Sequence, residues 1–454
     1  MSHSRSFRRY LPLLVVLLLA LHASAQWDEQ VLHSFQGGAY DGEFPAGGVV
    51  FDAQGNLYGA TTYGGLTGCA IGGECGTAFQ LSPPVHNGDP WTETIIYEFK
   101  GQGSNDGGLA SGGLIIDAAG NLYGVTAYGG RGDCVVLGLR AGCGTVYELS
   151  PPKRKGGGAW TETVLYSFPI AKQGFLPQGN LVFDGAGNLY GATEFGGTKG
   201  TTCDLIYGGQ CGVVFELSPP KTKGGKWTQH VLHNFGGGTD GANPNGGFVF
   251  DSKGAVYGTT QFGGAFGNGT VFALEPANRR GTAWRETILH AFDPGPIDGG
   301  NPMAGVVGDA KGRLYGTTYG GGPEQGGIVF RFSPPSDRSK RWTEAILHGF
   351  DGNYWDEDGW GPECSLTFDS KGRLYGTTSN TAVDGIEGGV FRLTPRGSKW
   401  GFESLYRFRG EPDGGQPQAG VILDKSGNVY GTTSQGGTGT GCSYCGTVFE
   451  VSLP

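Results

Sequence analysis

The chain alternates short apolar–polar runs of strand length with turns rich in glycine and proline, and no long stretch shows a helical period. Residues 114–117, 121–126, 145–150 and 160–168 form one group of such runs, rich in Val, Leu, Tyr and Thr. A tight turn joins the first two runs, because Gly120 can take a positive φ. Pro151 and Pro152 end the third run, since proline cannot continue a ladder. The pattern predicts a unit of four antiparallel strands.

This unit is repeated along the chain, and each copy opens with a phrase of the type Trp-Thr-Glu-Thr. The next phrases are of the types Asp-Gly-x-x-Pro, Gly-Asn-Leu-Tyr-Gly and Gly-Thr-Val-Phe-Glu-Leu-Ser-Pro-Pro. The seven copies begin at Trp27, Trp91, Trp160, Trp227, Trp284, Trp342 and Trp400. A four-stranded sheet cannot cover both of its faces alone, but sheets repeated around an axis cover one another. The repeat therefore predicts an all-β, seven-bladed β-propeller.

The phase of the repeat predicts how the ring closes. The first strand, residues 27–35, is of the fourth type, whereas the last strand, residues 447–452, is of the third type. Their pairing would complete the seventh blade and tie the two ends of the domain together. We therefore expect residues 26–454 to form one propeller domain.

The first 25 residues predict a secretory signal peptide. Arg5, Arg8 and Arg9 precede an apolar run over residues 11–21, and Ala23-Ser24-Ala25 is a small-residue cleavage pattern. We expect a secreted protein, extracellular or periplasmic, with no transmembrane segment in the mature chain. The formal net charge of −9 argues against nucleic acid as a partner. We also expect a monomer.

The phrases Tyr-Gly-Thr-Thr, as at 375–378, and Gly-Thr-Val-Phe-Glu resemble a known repeat. They are similar to the "GloVer" tandem repeat of secreted bacterial proteins with a choice of anchors, and the resemblance covers residues 26–454. This resemblance implies a repeat family but no established activity.

The cysteines follow the repeat and predict disulfides, as expected of a secreted chain. Four separate two-cysteine metal sites without histidine would be poor zinc sites. The pairs are Cys69 with Cys75, Cys134 with Cys143, Cys203 with Cys211, and Cys442 with Cys445. Cys364 is left over, and we expect it to be a buried thiol.

Two recurring side-chain types have structural interpretations. The histidines His33, His233, His290 and His348 share a slot in the fourth strand with Tyr97, Tyr166 and Tyr406, which indicates a packing position. Aspartates before x-x-Gly are expected to accept backbone hydrogen bonds in tight turns. They are Asp52, Asp117, Asp184, Asp251, Asp309, Asp369 and Asp424.

Strand order sorts the loops into a basic face and an acidic face. Lysines and arginines such as Lys153, Lys253 and Arg373 lie in the turns and links of the basic face, which could rest on an anionic envelope surface. The Asp-Gly-x-x-Pro and cysteine loops form the other face, called here the loop face. Its expected acidic residues are Asp41, Glu43, Asp106, Asp240, Asp298, Asp356, Glu357, Asp358 and Asp413.

Aromatic residues on the loop face are candidate platforms for sugar rings. Tyr63, Tyr128 and Tyr319, with Phe195 and Phe262, precede Gly-Gly in equivalent places, where packing between blades is the alternative. One loop departs from the repeat with Tyr354, Trp355, Asp356, Glu357, Asp358 and Trp360. Because function is often grafted where a repeat is broken, we predict a saccharide site here. Asp356, Glu357 and Asp358 could alternatively hold Ca²⁺.

The leading hypothesis is a non-enzymatic binding propeller that recognises an extracellular glycan and requires no cofactor. The first alternative is an enzyme, either a propeller hydrolase or lactonase or a polysaccharide lyase. Starts of the innermost strands are mostly Gly or Ala, and Gln178, Asn180, Asn245 and Glu363 break that pattern. The second alternative is a purely structural envelope protein.

Overall fold

The protein is described here from a computed structural model. It covers residues 27–86, 88–136, 138–153, 158–169, 173–197, 203, 211–222, 224–276, 284–293, 295–336, 341–352, 358–380, 387–442 and 445–452. The predicted signal peptide and residues 354–357 of the irregular loop lie outside these ranges. The seven-bladed β-propeller is confirmed, with each blade an antiparallel sheet whose strands follow one another outward from the axis.

The blades are numbered along the chain, and the strands of each are given from the axis outward. Blade 1 contains Gly42–Pro45 with Val50–Phe51, then Leu57–Gly64, Thr77–Ser82 and Thr92–Glu98. Blade 2 contains Gly107–Ala110 with Ile115–Ile116, then Leu122–Gly129, Thr145–Ser150 and Thr161–Ser167. Blade 3 contains Phe175–Phe183, Leu189–Phe195, Val213–Ser218 and Thr228–Asn234. Blade 4 contains Gly241–Pro244 with Val249–Phe250, then Val256–Gly263, Thr270–Glu275 and Arg285–Ala291.

The remaining blades follow the same order. Blade 5 contains Gly299–Gly300 with Val307–Gly308, then Leu314–Thr318 with Gly320–Gly321, Gln325–Ser333 and Thr343–Asp351. Blade 6 contains Thr367–Phe368, Leu374–Thr378, Gly389–Arg396 and Lys399–Arg407, and blade 7 contains Ile422–Leu423, Val429–Thr433, Thr447–Ser452 and Asp28–Ser34. Loop hairpins Thr67–Cys69 with Gly73–Glu74 and Val135–Val136 with Leu139–Arg140, and 3₁₀ turns Gly38–Tyr40 and Gln102–Ser104, complete the described elements. No helix in the described part of the chain is long and apolar enough to cross a membrane.

The ring closes as predicted. Strand Asp28–Ser34 pairs antiparallel with Thr447–Ser452, from Asp28 opposite Ser452 to Ser34 opposite Thr447. In blade 2 the innermost ladder beside the turn is shorter than the sequence predicts, because it holds Ile115–Ile116 rather than residues 114–117. Gly113 instead donates its N–H to the side chain of Asn180 in the next blade, at 2.8 Å. The chain near the axis thus bonds between blades as well as within them.

The hydrophobic core lies between neighbouring blades. Phe35 of blade 7 and Phe79 of blade 1 are fully buried and meet edge to face at 5.1 Å between ring centroids. Gly59 faces that ring so closely that a Cβ there would lie 2.4 Å from Phe79 Cζ. This approach explains why the second strand reads Leu-Tyr-Gly, since only glycine leaves room for the phenylalanine of the next strand.

Two structural predictions from the cysteines and aspartates are confirmed. All four predicted disulfides are present, and Cys364 is a buried free thiol. Asp117 Oδ1 accepts the N–H groups of Ala119 and Asn121 at 2.8 and 2.9 Å. The tyrosine of the following strand adds a hydrogen bond, as from the Tyr123 hydroxyl to Asp117 Oδ2 at 3.1 Å. These aspartates therefore hold the turns of the basic face.

Candidate functional site

One position per blade points to a site at the propeller axis. It is the residue that follows the Pro of Asp-Gly-x-x-Pro, or Ala110 in blade 2, and it differs in nearly every copy. We call these residues the axial ring: Ala46, Ser111, Gln178, Asn245, Met303, Glu363 and Gln418. All of them line one cavity of about 330 Å³. That size falls in the usual range of small-ligand sites.

Glycines bring the blades close together around this cavity. A Cβ on Gly305 would lie 1.9 Å from the carbonyl oxygen of Gly247, and one on Gly112 would lie 2.3 Å from that of Gly179. The conspicuous glycine pairs at the starts of the innermost strands are therefore needed for backbone contact between blades. The wall they form presents peptide groups, and the axial ring supplies most of the side-chain chemistry.

The axial ring is polar but almost uncharged. Among the lining residues that the structure describes, Glu363 carries the one ionisable group, and its Oε1 accepts a hydrogen bond from the Ser379 hydroxyl at 2.9 Å. Burial raises the pKa of Glu363, against the opposing effect of this hydrogen bond. Asn245 is committed to the fold because its amide donates to the Pro302 carbonyl at 2.8 Å. The amides of Gln178 and Gln418 make no such bond within the described residues.

Aromatic side chains lie beside the mouth of the cavity on the loop face. Phe44 lines the cavity and meets Tyr63 at 6.3 Å between ring centroids. Farther around the ring, Tyr319 meets Trp360 at 5.8 Å. Tyr63, Tyr128, Tyr319 and Trp360 are half-buried, so each presents part of its ring to solvent. Tyr354, Trp355, Asp356 and Glu357 lie outside the described residues.

The prediction that the repeated aspartates make the loop face acidic is wrong. Asp41, Asp106, Asp298 and Asp413 are buried, with Asp106 only 5% exposed. Asp106 accepts hydrogen bonds from the Tyr97 hydroxyl at 2.7 Å and from the Lys100 N–H at 3.1 Å. Buried carboxylates require such partners, because an unpaired charge loses its hydration. These aspartates hold neighbouring blades together.

Each aspartate belongs to a three-residue contact between adjacent blades, called here a junction. The outer strand of one blade supplies His or Tyr, the connecting loop supplies Asp, and the outer strand of the next blade supplies Glu. Between blades 1 and 2 these are Tyr97, Asp106 and Glu162, and between blades 7 and 1 they are His33, Asp41 and Glu93. The histidine–tyrosine exchange therefore reflects this polar contact as well as packing, which the sequence analysis missed.

A β-bulge allows one strand to serve two junctions. In a regular strand, residues four apart point to the same face. The ladder between Thr77–Ser82 and Thr92–Glu98 is irregular beside Ile96, so Glu93 faces blade 7 whereas Tyr97 faces blade 2. Every outer strand has this irregularity just before its His or Tyr. Bulges re-aim side chains in this way.

Two junctions contain side chains that differ from the usual His or Tyr with Asp and Glu. Between blades 2 and 3 both acids are replaced by amides, and Tyr166 donates to Gln229 Oε1 at 2.8 Å while Gln229 Nε2 donates to the Gln173 carbonyl. Between blades 5 and 6 the glutamate position holds Phe402, which stacks on His348 at 4.1 Å between ring centroids. Asp358, proposed above for Ca²⁺, lies 3.0 Å from His348 Nε2.

Burial strongly raises the pKa of the junction glutamates. It is the main cause that raises the pKa of Glu162 to about 8, and the charge of Asp106 adds to the effect. The pKa of Glu286 rises to about 9 through burial and Asp240. A glutamic acid that keeps its proton can donate to the neighbouring aspartate, and the amides at Gln173 and Gln229 provide a permanently neutral version of this contact.

A ring of seven small antiparallel sheets around an axial cavity defines a seven-bladed β-propeller. Residues 134–356 match the model of the Gloeobacter/Verrucomicrobia repeat family. This match confirms the resemblance to that repeat that the phrases of the sequence predict. Among curated proteins, none matches this sequence.

Solved structures similar to this chain include proteins of several kinds. A fungal alcohol oxidase in complex with copper has a TM-score of 0.50 at 12% identity, covering 95% of this chain and 76% of that one. PorZ, a surface component of the type-IX secretion system of Porphyromonas gingivalis, has a TM-score of 0.46 at 16% identity, covering 91% and 47%. A glucose dehydrogenase has a TM-score of 0.41 at 14% identity, covering 75% and 95%. At 12% identity the likeness to the alcohol oxidase shows the fold alone, and nothing is argued from the other two structures.

Proposed function

We propose that this protein is a non-enzymatic binding propeller that recognises a neutral glycan at its loop face, with the axial cavity as the main subsite. The observation that carries the proposal is the axial ring, where equivalent positions hold different, mostly uncharged polar side chains. Hydroxyl and amide groups suit a polyhydroxyl ligand, since each offers both hydrogen-bond donors and hydrogen-bond acceptors.

The chemistry of the cavity favours neutral over acidic sugars. Its described lining includes no cation, and the protein carries a formal net charge of −9. An anionic polysaccharide would therefore lose its hydration without gaining a counter-charge. Phe44 and Tyr63 at the mouth provide apolar ring faces against which a sugar could pack.

Thermal unfolding with neutral and acidic glycans tests this proposal. A ligand that binds only the folded state raises the unfolding midpoint as its concentration rises. We expect a rise with at least one of cellohexaose, xylohexaose, laminarihexaose and chitohexaose, and none with polygalacturonate. No rise with any of the neutral glycans would contradict the proposal and favour a structural envelope role.

An enzyme is the second candidate because of Glu363. Its raised pKa and its place in the cavity wall are features of a general acid. A hydrolase or lyase would release products from a bound glycan, and Glu363→Gln would stop that release while leaving binding largely intact. Product analysis by mass spectrometry after long incubation separates this candidate from simple binding.

Calcium binding at Asp356, Glu357 and Asp358 remains a separate proposal. Its test is the unfolding midpoint with Ca²⁺ or EDTA, for the wild type and Asp358→Asn. A Ca²⁺-dependent rise that is lost in the variant would support it, and an unchanged midpoint in both proteins would oppose it. Secretion is tested by the N-terminal residue of the exported chain, which we expect to be Gln26.

A further inference from the structure

Among the junctions, three bring a histidine and two carboxylates together. They are His33 with Asp41 and Glu93, His233 with Asp240 and Glu286, and His290 with Asp298 and Glu344. In each trio one potential ligand atom per residue lies within 4.8 Å of the others. We propose that the junctions of His33 and His233 each bind one divalent transition-metal ion, with Zn²⁺ the best-fitting probe, between two blades.

The spacing of the His33 junction suits a metal better than a hydrogen bond. His33 Nε2 lies 3.6 Å from Asp41 Oδ2 and 3.6 Å from Glu93 Oε2. Both distances are too long for a hydrogen bond. Zinc holds nitrogen and oxygen ligands at about 2.0–2.2 Å in tetrahedral geometry, which places neighbouring ligand atoms about 3.3–3.6 Å apart. The three side chains thus stand near where zinc ligands would stand.

The His233 junction has a similar spacing, although His233 Nε2 also makes long hydrogen bonds to Asp240, at 3.3 and 3.4 Å. His233 Nε2 lies 3.3 Å from Asp240 Oδ2 and 3.6 Å from Glu286 Oε2. By contrast, His290 Nε2 is 2.9 Å from Asp298 Oδ2, which is an ordinary hydrogen bond. The proposal is therefore limited to the two junctions whose nitrogen remains farther from its carboxylates.

Buried atoms in these junctions lack partners. His33 Nε2, Glu93 Oε1 and Glu286 Oε1 are buried without a hydrogen bond, and the glutamate Oε1 atoms of the tyrosine junctions are unpaired as well, so His33 Nε2 is the distinctive one among them. Leaving such atoms unpaired costs the hydration that they lose on burial, so native proteins usually satisfy them. A divalent cation would pair with the nitrogen, and its charge would balance two carboxylates that otherwise repel each other.

The histidine rings are already oriented for this role. His33 packs edge to face on Phe35 at 4.8 Å between ring centroids, and His233 packs in the same way on Phe235 at 4.6 Å. The buried phenylalanines hold each imidazole with Nε2 toward the carboxylates, so little rearrangement is needed on binding. Three protein ligands leave a fourth position for water or a second carboxylate oxygen.

Where tyrosine replaces histidine, its hydroxyl bonds the aspartate directly. The Tyr97 hydroxyl donates to Asp106 at 2.7 Å and the Tyr406 hydroxyl donates to Asp413 at 3.0 Å. A histidine-to-tyrosine change is therefore compatible with the fold at this slot. It removes the imidazole ligand and supplies the hydrogen bond that the other junctions use.

The experiment measures zinc bound to the protein, purified without a histidine tag, stripped with EDTA and reloaded at pH 7.5. Elemental analysis after dialysis should show that His33→Tyr and His233→Tyr each lose one equivalent of zinc and that the double variant loses two. The matched control is His348→Tyr, at the junction where Phe402 replaces glutamate, which should retain the wild-type zinc content.

Two results would overturn the proposal. One is an equal zinc content in the wild type and the double variant. The other is a wild type that binds no zinc and whose stability changes only with pH, which would mean that the carboxylates share a proton instead. The unfolding midpoint of each variant in EDTA should match the wild type within a few degrees, which shows that a lost ion does not reflect a lost fold.

Discussion

The blade junctions and the axial ring occupy equivalent places in every blade, yet they vary in opposite ways. At the junctions, most copies hold His or Tyr beside Asp and Glu, and in one copy both acids are replaced together, by Gln173 and Gln229. Around the axis the side chain changes from Ala46 to Ser111 to Gln178 with no such pattern. The residue types at the junctions are similar from blade to blade. The residue types that face the axial cavity differ between blades.

Under the proposed function, this difference separates the residues of stability from those of recognition. A junction has one task, which is to join two blades, and the same chemistry serves wherever blades meet. A ligand on the axis has no sevenfold symmetry, so seven identical side chains could not make complementary contacts with it. The variation at the axis is therefore the strongest local indication of function in the chain.

The largest expected effect comes from closing the space between two blades. Gly446 has φ 83°, and a Cβ there would lie 2.3 Å from the Thr433 carbonyl oxygen and 2.7 Å from Pro45 of the next blade. Gly446→Ala should lower the free energy of unfolding by about 3 kcal/mol or more, as measured by denaturant titration.

Gly427→Ala is the matched control for this variant. Gly427 has φ 94° in the same blade but nothing within 4 Å of a Cβ. It should cost only about 1 kcal/mol, since backbone strain is the remaining effect. Equal losses in the two variants would show that contact between blades contributes little.

A smaller, pH-dependent effect is expected at the junction of blades 1 and 2. Burial and Asp106 raise the pKa of Glu162 from 4.5 to about 8, so the folded state keeps a proton that the unfolded chain releases. This glutamate therefore makes the fold less stable as pH rises from about 4.5 to 8. Glu162→Gln, which copies Gln229, should remove that dependence.

Denaturant titrations in EDTA check this prediction. Near pH 4 the variant and the wild type should have similar stability, and at pH 8 the variant should be more stable by about 2 kcal/mol, allowing for the partial exposure of Glu162. A constant difference across the pH range would mean that Glu162 does not titrate in the folded junction.

The smallest effect on stability is expected at the axial ring. Gln178→Ala with Gln418→Ala removes amides that make no hydrogen bond within the described residues, so the free energy of unfolding should change by less than about 0.5 kcal/mol. The control is Gln54→Ala, in an exposed turn at the other end of the ring. A loss of more than about 2 kcal/mol in the axial variant would place these residues among those that hold the fold.

Much of the fold could be predicted from the sequence because the repeat states its strand order seven times. The closing pair Asp28–Ser34 and Thr447–Ser452 follows from the phase of that repeat. The junctions could not be predicted in the same way, since Tyr97, Asp106 and Glu162 come from three different phrases. The signal in the sequence that could have indicated the junctions is the paired change to Gln173 and Gln229 in one copy.

The site could be predicted only in part. Gln178, Asn245 and Glu363 stand out in the sequence at the starts of innermost strands, and the structure places them around one cavity. The aspartates of the loop face were misjudged because charge alone does not show whether a carboxylate is exposed or paired between blades. Asp106 is buried because the next blade covers it, and that contact depends on ring geometry rather than on local sequence.

Isothermal titration calorimetry with the four neutral hexasaccharides tests the central claim most directly. It compares the wild type, the variant carrying both Gln178→Ala and Gln418→Ala, and Glu162→Gln. The account predicts that one glycan binds the wild type and Glu162→Gln with equal affinity and binds the axial variant at least tenfold more weakly. Equal affinity for all three proteins, or a loss confined to Glu162→Gln, would contradict the claim that recognition lies at the axis and stability at the junctions.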